Sequence, residues 1–177
     1  MKFFNLFTAF VFSVIVLFNV NEARAKSTVE TVGDYLQVIV PAYAFGLTMA
    51  EDEWDGVKEF AYSFAAMEAS VYGLKFIVKE KRPNKADNRS FPSGHTASAF
   101  SGASFIHKRY GIKRAAVPYL LSGFVAYSRI HANKHYWWDT LAGAAIASAW
   151  SFALVSKKYK NTDIVASPEY IGFRTKF

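Results

Sequence analysis

The sequence RSFPSGHTASAF, residues 89–100, marks the point where a polar loop turns into a helix. Pro92 and Gly94 interrupt regular structure, and Ser93 between them is a good N-cap for the small, helix-compatible residues that follow. His95 then falls in the first helical turn, where backbone N–H groups lack partners within the helix and favour an anion. The stretch therefore supports two interpretations: an ordinary capped helix start with a surface histidine, or one half of an anion-binding site.

Length and composition narrow the classes of protein to consider. The 177 residues suffice for one domain with a hydrophobic core. The chain has no cysteine, which excludes disulfides, thiolate zinc sites and cysteine nucleophiles. Its formal net charge of +7 favours anionic partners, namely phosphate esters, anionic lipid surfaces or nucleic acid, without choosing among them.

The N-terminal segment, 1–25, has the layout of a secretory signal peptide. Lys2 provides a positive start, residues 3–20 are almost wholly apolar, and Ala-Arg-Ala at 23–25 is a small-x-small cleavage site. We therefore predict cleavage after Ala25, which lowers the net charge to +6. The alternative is an uncleaved membrane anchor, because the apolar run is close to the length that spans a bilayer.

The remaining sequence predicts an all-α domain of about five helices over residues 26–158. Apolar residues recur at three- and four-residue spacings, as in Phe60, Phe64, Met67 and Val71, and no internal repeat or linker interrupts the pattern. A C-terminal tail, 159–177, alternates weakly and predicts a short hairpin or extended arm. The predicted helices cover 29–50, 56–81, 94–110, 115–130 and 140–158.

Two further clusters of side chains are candidates for anion binding. Lys75 and Arg82 flank the end of the second predicted helix, and Ser128-Arg129 closes the fourth. Each cluster has an ordinary interpretation as a solvated helix end. The functional interpretation is a cationic clamp in which the guanidinium groups bind phosphate oxygens in a bidentate manner.

His131, His135 and Asp139 are spaced by four and four residues, so on a continuous helix they would share one face. Three interpretations follow from the residues. The face is simply polar, or it binds a metal through histidine and carboxylate ligands, or Asp139 orients His135 for nucleophilic attack on phosphorus.

Taken together, these clusters resemble the three-part signature of the type 2 phosphatidic acid phosphatase superfamily, which includes lipid phosphatases, bacterial acid phosphatases and vanadium haloperoxidases. The three parts occur in order: K-x6-RP at 75–83, PSGH at 92–95, and SR-x5-H-x3-D at 128–139. No signature position departs from the pattern. The resemblance extends from Lys75 to Asp139 and leaves the tail after Tyr159 outside.

The resemblance implies a helical bundle with a phosphate site at one end and a role for each signature residue. His135 would be the nucleophile and form a phosphohistidine, Asp139 would orient it, and His95 would be the general acid for the leaving group. Neither a metal nor another cofactor would be required, because cations and a helix N-terminus neutralise the transition state. The residues expected to bind the phosphate oxygens are Lys75, Arg82, Ser93, Gly94 and Arg129.

We therefore expect a phosphatase for phosphate monoesters or diphosphates, acting on a phosphorylated lipid or a small phosphate ester near a membrane surface and not on nucleic acid. The alternatives are a vanadate-dependent haloperoxidase and a non-catalytic module that binds anionic lipid. The signal segment predicts a periplasmic enzyme or one on the outer face of the inner membrane. An integral six-helix membrane protein is the alternative, against which Glu59 and Glu68 argue, since both lie inside a would-be span.

Overall fold

The computed structural model describes residues 26–158, 163–167 and 170–174, so the predicted signal segment lies outside the described residues. The all-α prediction is confirmed for the domain, and the tail forms the predicted hairpin, with β1 and β2 paired antiparallel. The elements are α1 (Thr28–Ala50), α2 (Trp54–Val78), α3 (Gly94–Tyr110), α4 (Ile112–His131), α5 (Trp137–Leu154), β1 (Asp163–Ser167) and β2 (Tyr170–Arg174).

Several helix ends differ from the predicted ones for local reasons. α2 ends at Val78 and not at residue 81, because Lys79 adopts a left-handed conformation with φ of 51°. α5 begins earlier than predicted, at Trp137, because Tyr136 and Asp139 form a reciprocal capping box around its first turn. Ser93 is the N-cap of α3 as predicted, with its Oγ accepting from the Thr96 N–H.

The core forms around α3, which packs against each of the other four helices. Small buried residues along α3 allow this close packing, while aromatic side chains fill the space toward α2. The rings of Phe60 and Phe105 meet edge to face with centroids 5.0 Å apart. The apolar stripe of α2 stays buried from Phe60 to Val71, but its last turn, which contains Val78, is exposed.

Two glycines set the helix spacing at the end of the bundle where α1, α3 and α5 begin. A Cβ on Gly143 of α5 would lie 2.5 Å from the Ser93 carbonyl oxygen, so glycine lets α5 contact the start of α3. A Cβ on Gly33 of α1 would overlap Ser128 Oγ and lie 3.0 Å from Arg129 Nη2. In each case a glycine lets one helix lie close to a signature motif on another helix, the motif of Ser93 for Gly143 and that of Arg129 for Gly33.

Among the described residues, no helix is both long enough and apolar enough to cross a membrane.

Candidate active site

The three signature stretches meet at one end of the bundle. The loop after α2 joins the α4–α5 turn through a hydrogen bond from Asn84 N to Asn133 O, 2.9 Å long. The start of α3 joins α5 through Ser93 N and Asp139 O, also 2.9 Å apart. These links gather side chains that lie far apart in the sequence. The gathered signature residues are Lys75, Arg82, Ser93, Gly94, His95, Arg129, His135 and Asp139.

His135 is buried between a carboxylate and a guanidinium, and this arrangement fixes its tautomer. Its Nδ1 lies 3.4 Å from Asp139 Oδ2, and its Nε2 lies 3.3 Å from Arg82 Nη1. Arginine can only donate, so Nε2 must be the acceptor and the ring proton must sit on Nδ1, facing the carboxylate. The Nε2 lone pair therefore points toward the cationic side of the site, as a nucleophile for phosphorus requires.

The protonation state of His135 also suits a nucleophile. Burial lowers its pKa to about 4, with the positive charges of Arg82 and Lys75 acting in the same direction and Asp139 opposing them. A histidine with a lowered pKa is neutral at every pH above that value. His135 therefore keeps a free lone pair throughout the neutral range.

Asp139 is fully buried and its Oδ2 collects three donors. The three donors are His135 Nδ1, Ser90 Oγ at 2.5 Å and the Tyr136 N–H at 2.9 Å. Burial alone would raise the pKa of Asp139, but the hydrogen bonds from His135 and Ser90 hold it at about 2. The carboxylate is therefore ionised and fixed in orientation.

Lys75 reaches the site from the last turn of α2, but its ammonium group is occupied by the loop. Its Nζ donates to three backbone carbonyls, those of Arg89 at 2.8 Å, Pro92 at 2.5 Å and Ser90 at 3.4 Å. Burial and the neighbouring Arg82 lower its pKa to about 8. In this state Lys75 shapes the loop that carries Ser90 and the PSGH motif.

Arg82 bridges the loop and His135. Its Nε donates to Asp87 Oδ1 at 2.8 Å, while Nη1 lies 3.3 Å from both the Lys134 carbonyl and His135 Nε2. The Asp87 pair is partly exposed and fixes the direction of the guanidinium. The rest of the guanidinium remains directed at the cluster around His135.

Arg129 is fully buried and is held by α1. Its Nη1 donates to Asp34 Oδ1 at 2.7 Å and its Nη2 to the Glu30 carbonyl at 2.8 Å. Its Nε contacts Ser128 Oγ at 3.1 Å. Asp34 was not among the residues predicted from the sequence, since it lies in α1, well before the first signature residue. No signal in the sequence links Asp34 to the signature, because the same helix also carries the carboxylate of Glu30.

Asp34 also contacts the predicted general acid. Its Oδ1 lies 3.2 Å from His95 Nε2, so one carboxylate joins His95 and Arg129. Burial lowers the pKa of His95 below its ordinary value; Asp34 opposes this shift and Arg129 adds to it. The pKa of Asp34 itself is strongly lowered: burial opposes this shift, but the hydrogen bonds from His95 and Lys26 outweigh it.

Ser93 and Gly94 occupy the expected position at the start of α3. Ser93 Oγ lies 3.0 Å from Thr96 Oγ1 and caps the helix, while its own N–H is used by Asp139 O. A Cβ on Gly94 would meet only Val71, at an ordinary contact distance of 3.7 Å. Packing therefore does not require glycine at this position.

His131 does not share a helix face with His135 and Asp139. α4 ends at His131, whose side chain is exposed, and the chain turns before α5 begins. Asn133 takes a left-handed conformation with φ of 53°, and the N–H groups of Lys134 and His135 both donate to the Arg129 carbonyl. Within the part of the chain that the structure describes, no group of three or more histidine and carboxylate side chains is placed to hold a metal ion.

Comparison with known proteins agrees with this geometry. The family model of the PAP2 superfamily matches residues 56–163. The lipid A 4'-phosphatase of Helicobacter pylori is 31% identical over 152 residues, which cover 79% of this chain and 75% of that protein. The lipid A 1-phosphatase of Porphyromonas gingivalis is 36% identical over 89 residues, 49% of this chain but 20% of that longer protein.

A solved structure supports the fold. The crystal structure of Aquifex aeolicus LpxE superposes with a TM-score of 0.59 at 23% identity, covering 73% of this chain and 87% of that one. The family match spans all three motifs, whose side chains converge on His135 in the structure. The chain therefore belongs to the PAP2 superfamily, the type 2 phosphatidic acid phosphatase group that its signature resembles.

Proposed function

We propose that this chain is a lipid phosphate phosphatase that works through a phosphohistidine intermediate on His135. The observation that carries the proposal is the fixed tautomer of this histidine, with Nδ1 on Asp139 and the Nε2 lone pair beside Arg82. The relatives reported above are named as lipid A phosphatases, which favours phosphate transfer from a lipid over haloperoxidase chemistry.

In the first chemical step, His135 Nε2 attacks phosphorus and the bond from phosphorus to the leaving oxygen breaks. The proton on Nδ1 stays with the imidazolium, which the Asp139 carboxylate stabilises. His95, in its protonated form, gives its proton to the leaving oxygen, so the product departs as a neutral alcohol. Arg82 and Arg129 stabilise the charge on the equatorial phosphoryl oxygens as it develops.

In the second step, water attacks the phosphohistidine. His95, now neutral, takes a proton from that water as the new P–O bond forms. The P–N bond breaks, the electron pair returns to His135 Nε2, and inorganic phosphate leaves. The enzyme is then restored with its original ring tautomer, so no group external to the chain is consumed except water.

Exposed apolar side chains flank the site residues in the sequence, and this feature favours a lipid substrate. Each lies within two residues of a site residue in the sequence, and each is more than half exposed. Single exposed apolar residues are ordinary, but a group around one polar site is typical of a surface that meets lipid or protein. We call this group the apolar collar; it comprises Tyr35, Phe76, Ile77, Tyr127, Trp137 and Leu141.

The loop between α2 and α3 adds positive charge beside the collar. Lys79, Lys81, Lys85 and Arg89 are all exposed there, and Arg89 lies over the Phe76 ring at 5.7 Å from its centroid. Cations next to apolar side chains suit an anionic lipid surface, where headgroups meet acyl chains. These features support an enzyme that works at a lipid surface, which in this proposal is the periplasmic side of the inner membrane.

A phosphate-release panel tests the substrate class. The purified chain should release phosphate from a lipid phosphate monoester in mixed micelles faster than from a short water-soluble ester. Replacing Phe76 and Ile77 with serine should raise KM for the micellar substrate and leave turnover of the soluble ester unchanged. Leu120→Ser is the matched control, because Leu120 is 74% exposed but lies near the middle of α4. If Leu120→Ser altered the kinetics with each substrate as much as the replacement of Phe76 and Ile77 does, the collar's role would be refuted.

Label trapping tests the mechanism. Rapid quenching with a labelled lipid phosphate should leave acid-labile, base-stable label on the wild type and none on His135→Ala. His135→Ala should also lose turnover while keeping its helical content. Retained turnover in this variant would refute the assignment of the nucleophile.

Mass spectrometry of the protein recovered from a cell envelope tests the predicted location. A mature chain that begins at Lys26 and dissociates in high salt would agree with a periplasmic protein held by charge. An intact Met1 in a protein that only detergent extracts would favour the integral membrane alternative.

A further inference from the structure

Glu80, outside the signature, lies directly behind the catalytic carboxylate. It follows α2 in the loop, where its backbone carbonyl accepts from the Ser90 N–H at 2.9 Å. Its side-chain Oε1 accepts from Trp138 Nε1 at 3.0 Å. The Glu80 side chain is thereby directed at the first turn of α5, the turn that contains Asp139.

Glu80 and Asp139 each have one carboxyl oxygen that accepts no hydrogen bond from an N–H or hydroxyl group of the described residues. Glu80 Oε2 and Asp139 Oδ1 are both buried, and no N–H or hydroxyl group in the described part of the chain reaches either one. The two carboxyl groups are within hydrogen-bond reach of each other. Two ionised carboxylates cannot share such a position, so one of them must hold a proton between these two oxygens.

The surrounding donors decide which group is the acid. Asp139 Oδ2 accepts from His135, Ser90 and the Tyr136 N–H, all of which stabilise its anion. The Glu80 side chain, among the described residues, accepts only from the Trp138 indole. Burial, followed by the neighbouring Asp139 carboxyl, raises the pKa of Glu80 above its ordinary value. The proton therefore belongs to Glu80.

We propose that Glu80 is a positioning residue that acts as a neutral acid, donating its O–H to Asp139 Oδ1 and so holding Oδ2 against His135 Nδ1. This inference rests on the proposed function, since its purpose is to orient the nucleophile. With Oδ1 held by Glu80, the carboxylate cannot rotate away from the histidine. The second anion that would otherwise lie beside Asp139 is also removed.

Two substitutions separate this role from simple packing. Glu80→Gln keeps a donor toward Asp139 and an acceptor for Trp138, so it mimics the neutral acid. We expect kcat for the Gln variant to stay within about threefold of the wild type. Glu80→Ala removes the donor and should lower kcat by on the order of 10- to 100-fold, with KM little changed, as expected for a misplaced catalytic group.

Trp138→Phe is the matched control, because it removes only the indole donor to Glu80 Oε1. It should keep near-normal kcat if the bond to Asp139 is the one that matters. Equal loss in the Gln and Ala variants, or full activity in the Ala variant, would overturn the proposal.

A measurement that needs no turnover distinguishes this proposal from the proposed function. Nitrogen-15 NMR of the histidine rings reports which nitrogen of His135 carries the proton. We expect a single Nδ1–H tautomer in the wild type and in Glu80→Gln, and a mixture of tautomers in Glu80→Ala. An unchanged tautomer in the Ala variant would overturn the role of Glu80, while absence of phosphate release from any substrate by the wild type would overturn only the proposed function.

Discussion

Replacing Asp34 with alanine should destabilise the protein because it leaves a buried guanidinium without its counter-ion. Arg129 has no exposed surface, and Asp34 Oδ1 lies 2.7 Å from its Nη1. Removing one partner of a buried ion pair typically costs about 3–5 kcal/mol, because the remaining charge is uncompensated. We take the lower end, about 3 kcal/mol, since the Asp34 side chain is 14% exposed and Arg129 keeps the Glu30 carbonyl.

This loss corresponds to a large change in melting temperature. For a chain of this size each kcal/mol lowers Tm by about 2–4 °C, so Asp34→Ala should lower Tm by about 6–12 °C. The pKa of Asp34 is lowered in the folded state, so its stabilisation is present above its unfolded pKa of about 3.9 and is lost as the pH falls below that value. The difference in Tm between the wild type and the variant should therefore shrink below about pH 4.

Thermal unfolding followed by circular dichroism is the assay. Asp55→Ala is the matched control, because Asp55 is 85% exposed and its pair with Lys58 at 3.2 Å is a surface pair of small value. Vanadate should raise the Tm of Asp34→Ala more than that of the wild type, since the oxyanion supplies Arg129 with a new partner. A change in Tm of less than about 2 °C for Asp34→Ala at neutral pH would refute the reasoning about Arg129.

Three further predictions concern the site and the packing around it. With a soluble ester, the acidic limb of kcat/KM should lie near pH 4, where His135 becomes protonated, and an acidic limb near pH 6.5 would contradict the lowered pKa. Vanadate should inhibit competitively and activity should survive exhaustive chelation, because the site neutralises charge with its own cations; loss of activity that zinc restores would contradict this. Gly143→Ala should lower the free energy of unfolding by about 1–3 kcal/mol through its contact with the Ser93 carbonyl, whereas Gly123→Ala, with nothing within 4 Å, should be neutral or stabilising in the same denaturation assay.

The fold could be predicted from sequence because its signals are local and periodic. The spacing of Phe60, Phe64, Met67 and Val71 specifies one buried face of α2, and all four residues are buried in the structure. Ser93 acts through a cap that involves only its next three residues. Such features depend on neighbours along the chain, so they can be read without knowing how the helices pack.

The remaining parts of the site depend on contacts between distant segments, and the sequence does not mark them. Asp34 and Arg129 are 95 residues apart, and Ser90 and Asp139 are 49 apart. No spacing or periodicity in the sequence shows that a single serine or aspartate will contact a residue so far along the chain. The spacing of His131, His135 and Asp139 shows the same limit, because it places them on one face only if the helix continues, and α4 ends at His131.

If His95 is the general acid, as we propose, the charges in the site account for its protonation despite its lowered pKa. Each cation of the signature already has an internal partner, Arg129 with Asp34, Arg82 with Asp87, and Lys75 with loop carbonyls. These cations are Lys75, Arg82 and Arg129, and the nearby ionised carboxylates are Asp34, Asp87 and Asp139.

In the proposed function, a phosphate dianion adds two negative charges beside His95. An added anion at short range favours the charged form of a histidine and raises its pKa. In the proposed mechanism, binding of the substrate draws a second proton onto His95 at Nδ1, because Nε2 already carries a proton that faces the Asp34 carboxylate. In this proposal the substrate itself creates the protonated acid that its cleavage requires, while Arg82, 3.3 Å from His135 Nε2, opposes protonation of His135.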